Sequence, residues 1–250
     1  MDGTIGGSLL EGVLRRDRII VVCGLMFVII FSWVYLLTGA GMSMHEMDGM
    51  LMPMSAGPWT AEHALVVLVM WSAMMAAMML PSAAPMILFY CTITRKQRAK
   101  SSAATASGAF ASGYVAVWAA FSLAAVALQF GLERSALLSP MMQTTSAIVA
   151  GSVLIAAGLY QWTPLKQACL RRCRSPLEFV MTNWREGVRG AFIMGTQHGA
   201  YCLGCCWMLM LLLFVGGVMN LAWIAGLAAF VLVEKLAPAG HWIGRAAGAP

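Results

Sequence analysis

Six stretches of the chain are apolar for about 20 residues each, and polar residues gather between them. A helix of roughly that length is needed to cross about 30 Å of hydrocarbon. The stretches are Ile19–Leu37, Ala61–Thr94, Ala104–Phe130, Met141–Tyr160, Gly190–Val215 and Val218–Leu236. This pattern predicts an all-α polytopic membrane bundle of about six spans. The last two stretches are joined by little more than GGVMN (216–220), which predicts a tight antiparallel hairpin. The second stretch is the longest, about 51 Å as a straight helix. Pro81 and Pro85 interrupt it. Proline removes a backbone donor and clashes with the turn before it, so a kink is expected, with carbonyls freed near Ala77 and Met78.

Composition fits this picture. Hydrophobic residues make up 60% of the chain and charged residues 10%, against roughly 25% charged in soluble domains. A formal charge of +6 raises the question of nucleic acid, but the basic residues follow the loops instead. In a six-span arrangement, 15 of the 16 fall on one side and only Arg134 on the other. The positive-inside rule then puts both termini in the cytoplasm. The expectation is a multi-pass protein of the bacterial inner (plasma) membrane, with lipid rather than nucleic acid as its surroundings. The N-terminal apolar run is too long for a signal-peptide core and is expected to stay as a span. The segments expected are a cytoplasmic N-terminus (1–18), a membrane domain (19–237) and a cytoplasmic tail (238–250). The membrane domain carries an external Met-rich loop (41–58) and a cytoplasmic Cys/Arg loop (163–189).

Candidate chemistry is concentrated in soft donors. The external loop holds Met42, Met44, Met47, Met50, Met52 and Met54, with His45 among them and Glu62–His63 just beyond. Thioethers suit Cu(I), and imidazole and carboxylate accept harder ions. On a flexible loop this reads as metal capture, though methionines resting on lipid read the same way. In the second span, Met74 and Met78 share a helix face, with Met79 on the adjacent stripe.

The fifth span contains HGAYCLGCCW (198–207). His198, Cys202, Cys205 and Cys206 fall at i, i+4, i+7 and i+8, one face of a helix. Gly195 and Gly199 allow a neighbouring helix to approach closely. Thiols alone are often only packing, but an imidazole in hydrocarbon marks function. Cys, His and Met together favour a soft metal. A Cys202/Cys205 redox pair is the competing reading. In the cytoplasmic loop, Cys169 and Cys173 stand at i and i+4 on a short basic helix. That helix either hands on a metal or holds lipid headgroups with its arginines. Glu234 and Lys235 read as an interfacial ion pair or as a brace for the basic loop.

MWSAMMAAMMLPSAAPMILFY (70–90), GLYQWTPLKQACLRRCRSP (158–176) and the segment from GTQHGAYCLGCCW to EKLAPAG (195–240) together resemble the DUF2182 family, described as predicted metal-binding integral membrane proteins. The resemblance covers about residues 60–240 and implies a metal site without naming the metal. By motif, it carries over Met74, Met78, Met79, Cys169, Cys173, His198, Cys202, Cys205 and Cys206.

The sequence therefore points to a membrane protein that binds copper, as Cu(I), in transport, delivery or homeostasis. Zinc ranks second because Cys and His also suit it. The expected order is external Met loop, Met stripe, Cys/His face and cytoplasmic Cys pair. The expected partners are a periplasmic or membrane copper protein, a second copy of the chain, or a membrane complex. The alternatives are a membrane thiol-disulfide oxidoreductase and a structural or assembly subunit.

Overall fold

The computed structural model describes residues 3–47, 50–54, 59–96, 103–139, 142–238 and 240–248. Ten helices and one short hairpin follow in chain order: α1 (Gly3–Leu37), β1 (Ser43–Met47), β2 (Met50–Met54), α2 (Ala61–Lys96), α3 (Ala103–Arg134), α4 (Ala147–Gln161), α5 (Pro164–Arg174), α6 (Pro176–Asn183), α7 (Gly187–Leu211), α8 (Leu213–Gly216), α9 (Leu221–Leu236) and α10 (Gly240–Ala247). The all-α bundle expected from the sequence is found.

Among the described residues, four helical stretches are long and apolar enough to cross a membrane: Arg16–Leu37, Ala61–Arg95, Ala103–Arg134 and Gly187–Gly216. A fifth counts if α4 and α5, which meet at 63°, are taken together. The expected count of six is therefore approximate. The fourth apolar stretch is only a 15-residue helix, and α9, the sixth, has 16 residues. At 1.5 Å per residue neither reaches 30 Å. α2 runs as one helix through Pro81 and Pro85.

Between helices this apolar, small residues allow the close packing that holds the bundle together. The α3–α7 contact shows how. A Cβ on Gly195 would run into the Phe110 carbonyl, and one on Gly113 into the Phe192 carbonyl. A Cβ on Gly199 would touch Val117 at 3.0 Å. The helix thinning read from Gly195 and Gly199 is thus realised against α3.

One group of core polar side chains is linked by hydrogen bonds. Trp71 donates to Gln129 (2.8 Å), Gln129 to Glu133 (2.9 Å), and Trp59 to the same carboxylate (2.6 Å). Trp71 and Gln129 are fully buried, so the chain of bonds satisfies groups that hydrocarbon would leave unpaired.

The hairpin between the last two apolar stretches forms as expected. Gly217 turns the chain at φ +93°. Asn220 caps α9 by accepting from the Trp223 amide, and the Trp223 indole donates back to the Leu212 carbonyl at 2.8 Å. Gly216 leaves the space that this indole occupies.

Candidate metal centre

α7 presents Cys202, Cys205 and Cys206 to the interior, all fully buried. Their thiols fold back on their own helix. Cys205 and Cys206 donate to the Cys202 carbonyl at 3.1 and 2.9 Å. α2 brings Met79, whose Sδ lies 4.0 Å from Cys206 Sγ. α3 brings Tyr114, whose hydroxyl is 3.0 Å from Cys202 Sγ and 3.2 Å from the Met79 carbonyl. α9 brings Lys235, whose ammonium donates to Cys202 Sγ at 2.8 Å and to Ser82 Oγ at 3.2 Å. Cys202 is thus the point where four helices meet.

A fifth helix joins them. The sequence suggested a short basic helix standing apart at the cytoplasmic face. α5 instead packs against the middle of α7. The space over Gly204 is taken by Cys169, whose Sγ is 2.7 Å from where a Cβ would stand. One turn on, Cys173 comes close to the Cys202 and Cys205 thiols. The cysteine pair and the α7 cysteines, separate stations in the expected order, form one cluster.

What holds α5 there is electrostatic. Lys166, fully buried, pairs with both oxygens of buried Glu234 (2.7 and 2.9 Å) and also bonds to Gln161. Arg174 donates to the Glu234, Ala237 and Pro238 carbonyls at the end of α9, where carbonyls have no helical partner. α10 closes over this region, with Gly244 passing close enough that a Cβ would strike the Glu234 carboxylate. The interfacial Glu234–Lys235 pair does not form. Glu234 acts as a brace for the basic segment, and Lys235 turns to the thiols.

The remaining candidates lie farther off. His198 is buried among aromatic rings, with Phe179 at 5.4 Å, Tyr114 at 5.8 Å and Phe110 at 6.0 Å between centroids. Its Nδ1 has no hydrogen-bond partner. Met74 and Met78 are also buried on α2, five residues and one residue before Met79. Met42 is partly buried against the core. The Met-rich segment, read as a flexible loop, pairs its backbone as the β1–β2 hairpin, with His45 opposite Met52 and Met47 opposite Met50. The side chains of Met44, His45, Met47, Met50, Met52 and Met54 lie outside the described residues. Glu62 is exposed in the first turn of α2, and His63 stands edge-on to Trp59 at 5.1 Å.

Sequence reasoning missed Lys235, Tyr114 and Ser82. Tyr114 carried no signal, because its partner Cys202 is 88 residues away. Lys235 carried one, an ammonium at the end of an apolar run, but it was counted toward topology.

The donor set fits a soft monovalent ion: four thiols, a thioether and, nearby, an imidazole with an unused nitrogen. Among the described residues, no group of three or more His, Cys, Asp or Glu side chains is placed to hold a metal ion. The thiols are instead turned toward carbonyls and one another, and none is in a disulfide.

No curated protein and no solved structure matches the chain. A protein-family model does, over residues 68–250: PpoB2, described as a copper chaperone. The matched stretch begins inside α2 and takes in all the cysteines of the cluster along with Met79, Tyr114 and Lys235. The chain belongs to the PpoB2 copper chaperone family.

Proposed function

We propose that this chain is a membrane-embedded copper carrier that holds Cu(I) at the cluster of Cys173, Cys202, Cys205 and Cys206, with Met79 as a thioether ligand. The observation behind this reading is the convergence of α5 and α7 thiols beside a methionine of α2, all within the stretch that matches the copper chaperone family. The resemblance to DUF2182 metal-binding membrane proteins rests on the same motifs and supports the same reading. Copper is favoured over zinc because a thioether adds to soft-ion affinity and little to zinc affinity.

In this reading the protein sits in the bacterial inner membrane with both termini cytoplasmic. The Met-rich external hairpin gathers the ion, and Met74, Met78 and Met79 lead it toward the thiols. His198 serves the approach rather than the cluster itself, given its aromatic surroundings. Cys169 and Cys173 act within the cluster, on a helix that ends near the polar face. A periplasmic or membrane copper protein supplies or receives the ion.

The test is elemental analysis of protein purified in mild detergent and loaded with Cu(I). Wild type is expected to retain near-stoichiometric copper, and Cys202→Ser/Cys205→Ser/Cys206→Ser to lose it. Wild type that stays metal-free after loading overturns the reading.

The geometry also revises the competing redox reading. A Cys202–Cys205 disulfide would link two residues of one helix and constrain nothing else. Cys173 is the partner that would tie α5 to α7.

A further inference from the structure

α5 is turned inside out for a helix in water. It buries Lys166 and Leu170, while Leu165 points outward and is 62% exposed. Leu165, Ala168 and Arg172 fall at i, i+3 and i+7 on one face of the helix, with Arg171 beside it, and none of the four is buried. The next helix continues the pattern. α6 buries Phe179 and Val180 and leaves Leu177 and Met181, four residues apart, 59% and 74% exposed. The two outward faces adjoin, because Arg172 reaches Glu178 at 3.3 Å. Single exposed apolar side chains are ordinary, but a group of them rimmed by charge marks an interaction surface.

The charge of this rim is not taken up inside the protein. Lys166 is matched by Glu234, and Arg174 is occupied by the carbonyls at the end of α9. Arg172 has only its exposed contact with Glu178, of a kind that contributes little. Arg171 is exposed, and among the described residues no hydrogen bond or ion pair holds it.

We propose that the outward face of α5 and α6 is a binding site for an anionic phospholipid, with Arg171 and Arg172 on its phosphate and Leu177 and Met181 against its acyl chains. A guanidinium meets phosphate with paired hydrogen bonds. Apolar side chains beside a basic rim suit the boundary between headgroups and hydrocarbon. A small free anion would engage the arginines and leave the apolar residues with nothing to touch. The inference requires that the chain lies in a membrane and is independent of the copper reading.

The test is a titration of the full-length protein in neutral detergent, read by native mass spectrometry. Phosphatidylglycerol is compared with phosphatidylcholine of the same acyl chains. Wild type is expected to bind phosphatidylglycerol about tenfold or more tightly, because each arginine near an anionic headgroup contributes about a fivefold factor. Arg171→Gln/Arg172→Gln is expected to bring the two lipids within about threefold of each other, at an unchanged melting temperature. Arg171→Lys/Arg172→Lys keeps the charge and is expected to keep most of the preference. Leu177→Ser/Met181→Ser is expected to weaken both lipids and leave their ratio in place. Arg185→Gln/Arg189→Gln removes as much exposed charge from the start of α7 and is expected to keep a preference of about fivefold or more. Equal losses from the two arginine pairs overturn the proposal, because they mean diffuse attraction rather than a site. An unchanged preference in Arg171→Gln/Arg172→Gln overturns it too. So does displacement of phosphatidylglycerol by glycerol phosphate at matched concentration, the mark of a small-anion site. A wild type that binds both lipids equally also overturns it, and leaves this face to a protein partner or a second copy of the chain.

Discussion

Lys166 and Lys235 are both buried ammonium groups near the same end of α9, yet they have opposite surroundings. Lys166 has a carboxylate at 2.7 Å and an amide oxygen, all out of water. Its charge is cancelled, its geometry is closed, and nothing remains for a ligand to do. Lys235 has a hydroxyl and a sulfur. Its charge is met by a hydroxyl and by a sulfur that a soft ion would also take. A buried pair is weak evidence for net stability, but removing one partner is costly. The first lysine is thus a fastener, and the second is part of the apparatus it fastens.

The sharpest way to break this comparison is at the fastener. Lys166→Met leaves a buried carboxylate alone and is expected to cost about 3–5 kcal/mol, read as loss of folded protein on heating in detergent. Lys166→Met/Glu234→Met removes both charges and is expected to recover most of that loss. If the double variant fares no better than the single, the pair is not the fastener. Gly195→Ala comes next. Its methyl meets the Phe110 carbonyl, and crowding of this kind typically costs about 1–3 kcal/mol. It should lower the melting temperature without changing which metals bind. Gly204→Ala is expected to cost about 1 kcal/mol, because the Cys169 sulfur can move aside. Its main effect is on α5, so alkylation of Cys169 and Cys173 by a thiol reagent should speed up. An unchanged alkylation rate would mean that α5 is not seated through Gly204. Smallest is Arg172→Ala, which removes the 3.3 Å bond to Glu178. Both partners are substantially exposed, so the expected change is within about 0.5 kcal/mol.

Much of the fold could be read from the sequence because lipid and water impose strong periodic patterns. The α7 face of His198, Cys202, Cys205 and Cys206 needed only a 3.6-residue period, and all four are buried in the structure. The glycines at 195 and 199 announced a close contact, though not that α3 would supply it. Two kinds of feature were not legible. The first is contact between distant segments. Nothing local to Lys235 says that its ammonium meets a sulfur 33 residues earlier. Nor does anything local to Pro164–Arg174 say that this charged helix folds back onto α7. The second is a signal present but passed over. Asp48–Gly49 lies between Met47 and Met50, which pair across the hairpin. Asp-Gly between alternating residues favours a two-residue hairpin turn, so the external segment could have been read as strands rather than loop.

The seating of α5 also has a consequence for how the protein is made. Lys166 leaves the ribosome 68 residues before the glutamate that neutralises it. Until α9 has been synthesised, that lysine and the arginines beside it have every reason to stay in water. Seating of α5 against α7 would therefore follow the synthesis of α9. Any thiols it brings to the cluster are added last. A nascent or arrested chain would hold the α7 cysteines without their α5 partners.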